Sequence, residues 1–148
     1  MGIKMKSYTE IVVRYAETDQ MGVVHHAVYP VWFEAARTDF SAKMGITYPQ
    51  MEEMGIMLPV VELQVHYLGS ARYGETVQVE TCVQRLTSAR VEFAYRVLDQ
   101  QQRVITTGKT VHAWVGKDMR PMGLRKHFPQ IYEKMLEAME PESQQPGK

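Results

Sequence analysis

The sequence predicts an α+β domain in which an antiparallel five-stranded sheet wraps around one long central helix, with a further helix at the C-terminal end. Three observations carry this expectation. Tyr29, Trp32, Phe33, Ala36, Phe40 and Met44 recur at helical spacing, forming an aromatic stripe that needs a covering surface. Four β-patterned stretches follow, separated by turn-prone YLGSARYG, LTSA and DQQQ. One more alternating stretch comes before the helix.

Taken in order, residues 8–15 alternate as a strand, with Ile11, Val13 and Tyr15 on one side and Val12 and Arg14 on the other. Pro30 is tolerated only near a helix start, so the helix is predicted over 29–44, and Gly45 is a natural stop. Residues 46–58 read as a polar, methionine-containing connection with a short helix through Gln50 to Met54. Strands are predicted at about 59–68, 76–86, 90–98 and 103–116, in an order that suggests an antiparallel meander. The second of these sets Val77, Val79, Thr81 and Val83 on one face, and the third sets Val91, Phe93, Tyr95 and Val97 on one face. LRKHFPQIYEKMLEAM reads as a final helix with Pro129 near its start and Phe128, Ile131, Met135 and Ala138 for packing. Residues 1–140 then make a single domain, and 141–148 read as a disordered tail.

Length and charge narrow the function. A chain of 148 residues suits one domain, small enough that a deep substrate pocket calls for a second copy. Seventeen Lys and Arg balance seventeen Asp and Glu, and no basic block tracks phosphates, so nucleic acid is not an expected partner. Cys82 is the single cysteine and sits in a strand pattern, which reads as a small packed side chain in a reducing compartment. The charged MGIKMKSYTE start is no signal peptide, and MLPVVELQV is interrupted by Pro59 and Glu62, so a cytoplasmic protein with no membrane span is expected.

The stretch DQMGVVHHAVYPVWFEAAR, residues 19–37, sets a carboxylate and a glycine turn directly ahead of the helix start. Backbone N–H groups there have no partner within the helix and can polarise a carbonyl oxygen of a bound substrate. Asp19 would be the base or nucleophile beside them.

This stretch resembles the central signature of hotdog-fold acyl-CoA thioesterases, the 4-hydroxybenzoyl-CoA thioesterase superfamily, and especially its YbgC-type branch. The matching positions are Asp19, Gly22, Val23, Val24, His25, His26, Tyr29, Glu34, Ala36 and Arg37. LPVVELQVHYLGSARYGETVQVET and GKTVHAWVGKDMRPMGLRKHFP resemble later strands of the same family, so the likeness covers almost the whole chain. One departure is His25, where tyrosine is common in that branch. The resemblance implies a hotdog fold, homodimers or homotetramers with sites between subunits, and hydrolysis of a small or medium acyl-CoA. No cofactor is implied, since coenzyme A is part of the substrate.

By the same resemblance, the backbone N–H near His26 points at the thioester carbonyl, Val24 and His25 set the turn, and Tyr29 has a site role. The His26 side chain is placed at the site as a pocket group or as one that holds the turn in shape. Gly22 should not tolerate a bulky residue, and Arg72 and Arg90 are the candidate cations for coenzyme A phosphates. Thiolate is a good leaving group, so no strong general acid is needed, and Asp19 can attack directly or activate water.

Each residue also has a plainer reading. An aspartate before a glycine turn is usually a turn residue. His25 and His26 are adjacent and point apart in extended chain, so zinc is not expected. Trp32 and Phe33 are ordinary core, Glu34 and Arg37 can pair with each other along the helix or across a subunit contact, and His66 and His112 read as satisfied internal histidines. Two other functions remain open: a non-catalytic acyl-CoA sensing module, and a hotdog enoyl-CoA hydratase or dehydratase.

Overall fold

The computed structural model describes residues 5–139, so the tail expected over 141–148 lies outside them. Chain order is β1 (Ser7–Val12), a 3-10 turn (Tyr15–Glu17), α1 (Tyr29–Met44), α2 (Tyr48–Glu53), β2 (Val60–Tyr67), β3 (Thr76–Leu86), β4 (Arg90–Leu98), β5 (Val104–Ala113), α3 (Leu124–His127) and α4 (Pro129–Ala138). The strands form one antiparallel sheet in the order β1-β3-β4-β5-β2, and α1 packs across it.

The predicted meander holds for β3, β4 and β5 only. β2 pairs with β5 rather than with β3, and β1 takes the place beside β3. Residues 68–75 therefore cross three strand spacings, roughly 14 Å, which eight residues cover with chain to spare. Alternation within a strand reports which face is buried and says nothing of which neighbour it pairs with. The crossing segment turns out to matter, because it lies against the signature loop.

The core is the aromatic stripe of α1 set against the inner sheet face. Trp32, Phe33, Ala36 and Phe40 are buried, as are Val77, Val79, Thr81 and Val83 of β3 and Val91, Phe93, Tyr95 and Val97 of β4. Phe33 stacks on Tyr95 with ring centroids 4.3 Å apart, and Phe40 meets Phe93 edge-on at 5.9 Å. Burying such a ring contributes about 1.5–3 kcal/mol. The approach of α1 to the sheet depends on Gly108, where a Cβ would sit 2.5 Å from Phe33 Cε2.

Several element ends differ from expectation, among them that of β5, which stops at Ala113 short of the expected 116. β1 stops at Val12 and Tyr15 is exposed, because the chain turns through the 3-10 segment instead of extending to residue 15. α2 starts at Tyr48, ahead of the expected Gln50, where Thr47 accepts the Gln50 N–H and the Gln50 side chain accepts the Thr47 N–H. The last helix breaks at Phe128, whose φ of −138° and ψ of 64° leave the helical region ahead of Pro129, as steric clash with a proline ring dictates.

β2 is an edge strand. Val60, Val61, Leu63 and Tyr67 are each about half exposed, and His66 is exposed as well, so it is not the internal histidine that its neighbours suggested. Among the described residues no helix is long and apolar enough to cross a membrane.

Candidate active site

The entry to the signature loop is fastened by Glu17. Its Oε1 accepts the Arg14 N–H at 2.8 Å, and its Oε2 accepts the Trp32 indole N–H at 2.9 Å. Burial pushes the Glu17 carboxyl upward, but the Arg14 N–H, the Trp32 indole and the Arg14 guanidinium outweigh it and hold the group below its usual range. The charged carboxylate thus ties the end of β1 to the first turns of α1. Sequence reasoning passed over Glu17; the available signal was Trp32, since a core indole N–H needs an acceptor.

From there the chain doubles back on itself. His25 N–H donates to Glu17 O at 2.8 Å, Asp19 N–H to Val23 O at 2.8 Å and Gly22 N–H to Asp19 O at 2.9 Å. Asp19 Oδ1 accepts the Met21 N–H at 2.8 Å. The turn reading and the reactive reading of Asp19 are therefore compatible: one carboxylate oxygen fixes the turn, and Oδ2 receives no protein hydrogen bond among the described residues. Gly22 adopts a φ of +82°, and Arg72 Nη1 lies 3.5 Å from its carbonyl oxygen. The crossing segment supplies the outer support, with Val24 N–H donating to Ala71 O at 2.9 Å and the Val24 side chain buried.

His25 and His26 do not point apart. Their rings stack with centroids 4.2 Å apart, because the chain bends here, closed by the Val28 N–H donating to His25 O at 3.0 Å. His25 Nδ1 accepts the Ala27 N–H at 3.0 Å, so that nitrogen carries no proton in this arrangement. No group of three or more His, Cys, Asp or Glu able to hold a metal occurs among the described residues.

The backbone donors of residues 24–28 can be accounted for one by one. Those of Val24, His25, Ala27 and Val28 are taken, and the His26 N–H alone has no acceptor among the described residues. Among the described residues no side chain caps the start of α1, whose dipole carries its positive end there. A free amide and a helix terminus adjoining a carboxylate turn make a site able to stabilise charge developing on a carbonyl oxygen. Tyr29 is buried, edge-on to Trp32 at 5.0 Å and to Tyr67 at 5.7 Å, so it enters the site as packing under the loop.

The two candidate cations part company. Arg72 adjoins Gly22, whereas Arg90 opens β4 at the other end of the sheet, eight residues or roughly 26 Å along the strand from Leu98. Glu34 and Arg37 form no ion pair with each other among the described residues; Arg37 is buried and donates to the Tyr95 hydroxyl at 3.3 Å.

Arg37 also borders a cavity of about 250 Å³ whose lining sets Glu34 and Glu52 beside Tyr48, Met51, Ile56, Leu58 and His112. His112 belongs to a directed hydrogen-bond chain. Tyr95 Oη lies 2.6 Å from Thr110 Oγ1, which lies 2.8 Å from His112 Nε2, while His112 Nδ1 lies 3.1 Å from Leu58 O. A carbonyl can only accept, so Nδ1 donates, Nε2 accepts from Thr110, and Tyr95 donates to Thr110. Burial pushes His112 down to about 4 and Tyr95 up to about 12, so both stay neutral at pH 7. The satisfied internal histidine expected at 112 is what the fold contains.

The family model for the thioesterase superfamily matches residues 21–106, more than half of the chain. The chain belongs to this superfamily. YneP of Bacillus subtilis is 37% identical over 83% of this chain and 90% of its own length. The acyl-CoA thioesterase YbgC of Haemophilus influenzae is 33% identical over 58% of this chain and 64% of its own. A solved structure of the DHNA-CoA thioesterase from Staphylococcus aureus superposes with a TM-score of 0.84 and 40% identity, covering 87% of each chain. The fold is accordingly the hotdog fold of these thioesterases, with α1 as its central helix.

Proposed function

We propose that this chain is an acyl-CoA thioester hydrolase in which Asp19 supplies the base or nucleophile and the His26 N–H, backed by the α1 terminus, receives the developing oxyanion. One observation carries the reading: among the described residues, Asp19 Oδ2 has no hydrogen-bond partner, and in the loop beside it every backbone donor from residue 24 to 28 is used except His26. Membership of a thioesterase superfamily supports the reaction class, and the sensing and hydratase readings have no comparable support.

The working unit in this proposal is a two-fold dimer paired through β2, the edge whose apolar side chains stand half exposed. Antiparallel pairing would carry Arg90 of the partner subunit toward this chain's Asp19 end, which reconciles Arg90 with phosphate recognition. It would also bring the partner's cavity toward the same end, and a volume of about 250 Å³ suits a small or medium acyl group.

The test is release of free thiol from a panel of acyl-CoAs that includes saturated aliphatic chains, an enoyl-CoA and DHNA-CoA, followed with a colour-forming disulfide reagent. Turnover of any member supports hydrolysis. Bound acyl-CoA without thiol release would replace the proposal with sensing, and loss of enoyl absorbance without thiol release would replace it with hydration.

A further inference from the structure

The free His26 amide can serve an oxyanion only if its direction is fixed: the N–H lies in the His25–His26 peptide plane, and the next plane, His26–Ala27, fixes the Cα on which that plane ends. The His25–His26 plane is held through its carbonyl, which accepts the Val28 N–H. The His26–Ala27 plane is held on its N–H side by His25 Nδ1, a contact within the loop itself. On its carbonyl side it is held from a distant element: the Tyr67 hydroxyl, at the end of β2, donates to His26 O at 2.8 Å across 41 residues of sequence. We infer that Tyr67 is a positioning residue for the oxyanion amide, anchoring the loop to the sheet through this one hydrogen bond. The inference rests on the hydrolase reading above.

Three features make the role specific. No other group among the described residues donates to the His26 carbonyl. The Tyr67 ring is itself steadied edge-on by Tyr29 at 5.7 Å, so the hydroxyl is aimed by packing. Phenylalanine would give the same ring packing on Tyr29, and the one hydrogen bond of the Tyr67 hydroxyl among the described residues goes to the His26 carbonyl. A donor held in advance of the reaction needs no reorganisation as charge develops, whereas a loop free to rotate about His26 must be reordered in each turnover.

Tyr67→Phe removes the hydroxyl and keeps the ring. With the acyl-CoA that the wild-type protein hydrolyses best, kcat is expected to fall about 10-fold, a fraction of what loss of a whole oxyanion donor costs. KM and the melting temperature should change little, a split that a merely structural role would not give. Tyr67→Leu, which also removes the packing on Tyr29, should lower kcat at least as far and lower the melting temperature too. An active wild type with Tyr67→Phe at unchanged kcat, or with kcat and melting temperature falling together, overturns the positioning role alone. A wild type that releases no thiol from any acyl-CoA overturns this inference together with the reading beneath it.

Discussion

Gly22→Ala is the change that isolates backbone geometry at the site from its chemistry. The residue sits at a φ of +82°, where a Cβ crowds its own chain, and placing an L-residue other than glycine there costs roughly 1–2 kcal/mol. The added Cβ would lie 3.3 Å from Arg72 Nη1, the far end of an exposed side chain that can swing away, so contact adds little to that figure. Overall stability should therefore drop by only about 1–2 kcal/mol, read from the midpoint of urea unfolding. Activity should suffer more, because relieving the strain opens the turn in which Asp19 accepts the Met21 and Gly22 N–H groups. We expect kcat to fall at least ~10-fold, approaching the cost of a lost oxyanion donor. Gly22→Asn is the control, since asparagine tolerates the left-handed region far better than alanine, and it should retain most of the turnover. Equal activity in wild type and both variants would refute the claim that this turn sets the site.

Gly108→Ala should destabilise the fold by about 2–3 kcal/mol through overpacking, because the new Cβ meets both Phe33 and the Gln64 carbonyl and Phe33 is already stacked on Tyr95. Adding Phe33→Leu should recover part of that loss in a double-mutant cycle, and strict additivity would contradict it. His112 should make stability depend on pH. Its folded value near 4 lies below the unfolded value of 6.5, so the unfolded chain binds the extra proton between them. Stability should then be full above that window and decline by about 3 kcal/mol as pH falls through it. His112→Gln should flatten this slope, and an unchanged slope would assign it elsewhere; Glu17, held below the usual carboxylate range, acts only at lower pH.

The bounds of α1, β3 and β4 were legible residue for residue, because each carries a periodic apolar face with a plain stop beside it, such as Gly45 or the LTSA turn. Strand partners were not. β2 alternates like its neighbours, and residues 68–75 are long enough either to return beside β3 or to cross to the far side of β5, so no sequence pattern decides its place. In the site, Asp19, Gly22 and His26 could be found because they form one contiguous stretch. Glu17 was signalled only indirectly, by the acceptor that a buried Trp32 indole needs, and Tyr67 not at all, since it acts through a main-chain carbonyl 41 residues away. The His25–His26 stack was misread as divergent because alternation applies to extended chain and these residues sit in a bend. The chain Tyr95–Thr110–His112 joins two strands whose register no pattern displays.

The central claim is that the Asp19 carboxylate performs the reaction on a thioester held at the His26 amide. Steady-state thiol release by Asp19→Asn measures it most directly, since the amide can still accept the Met21 N–H and hold the turn through its side-chain oxygen. A kcat reduced by at least ~10²-fold, with the wild-type unfolding midpoint retained, is the predicted result. Turnover near the wild-type rate would contradict the account.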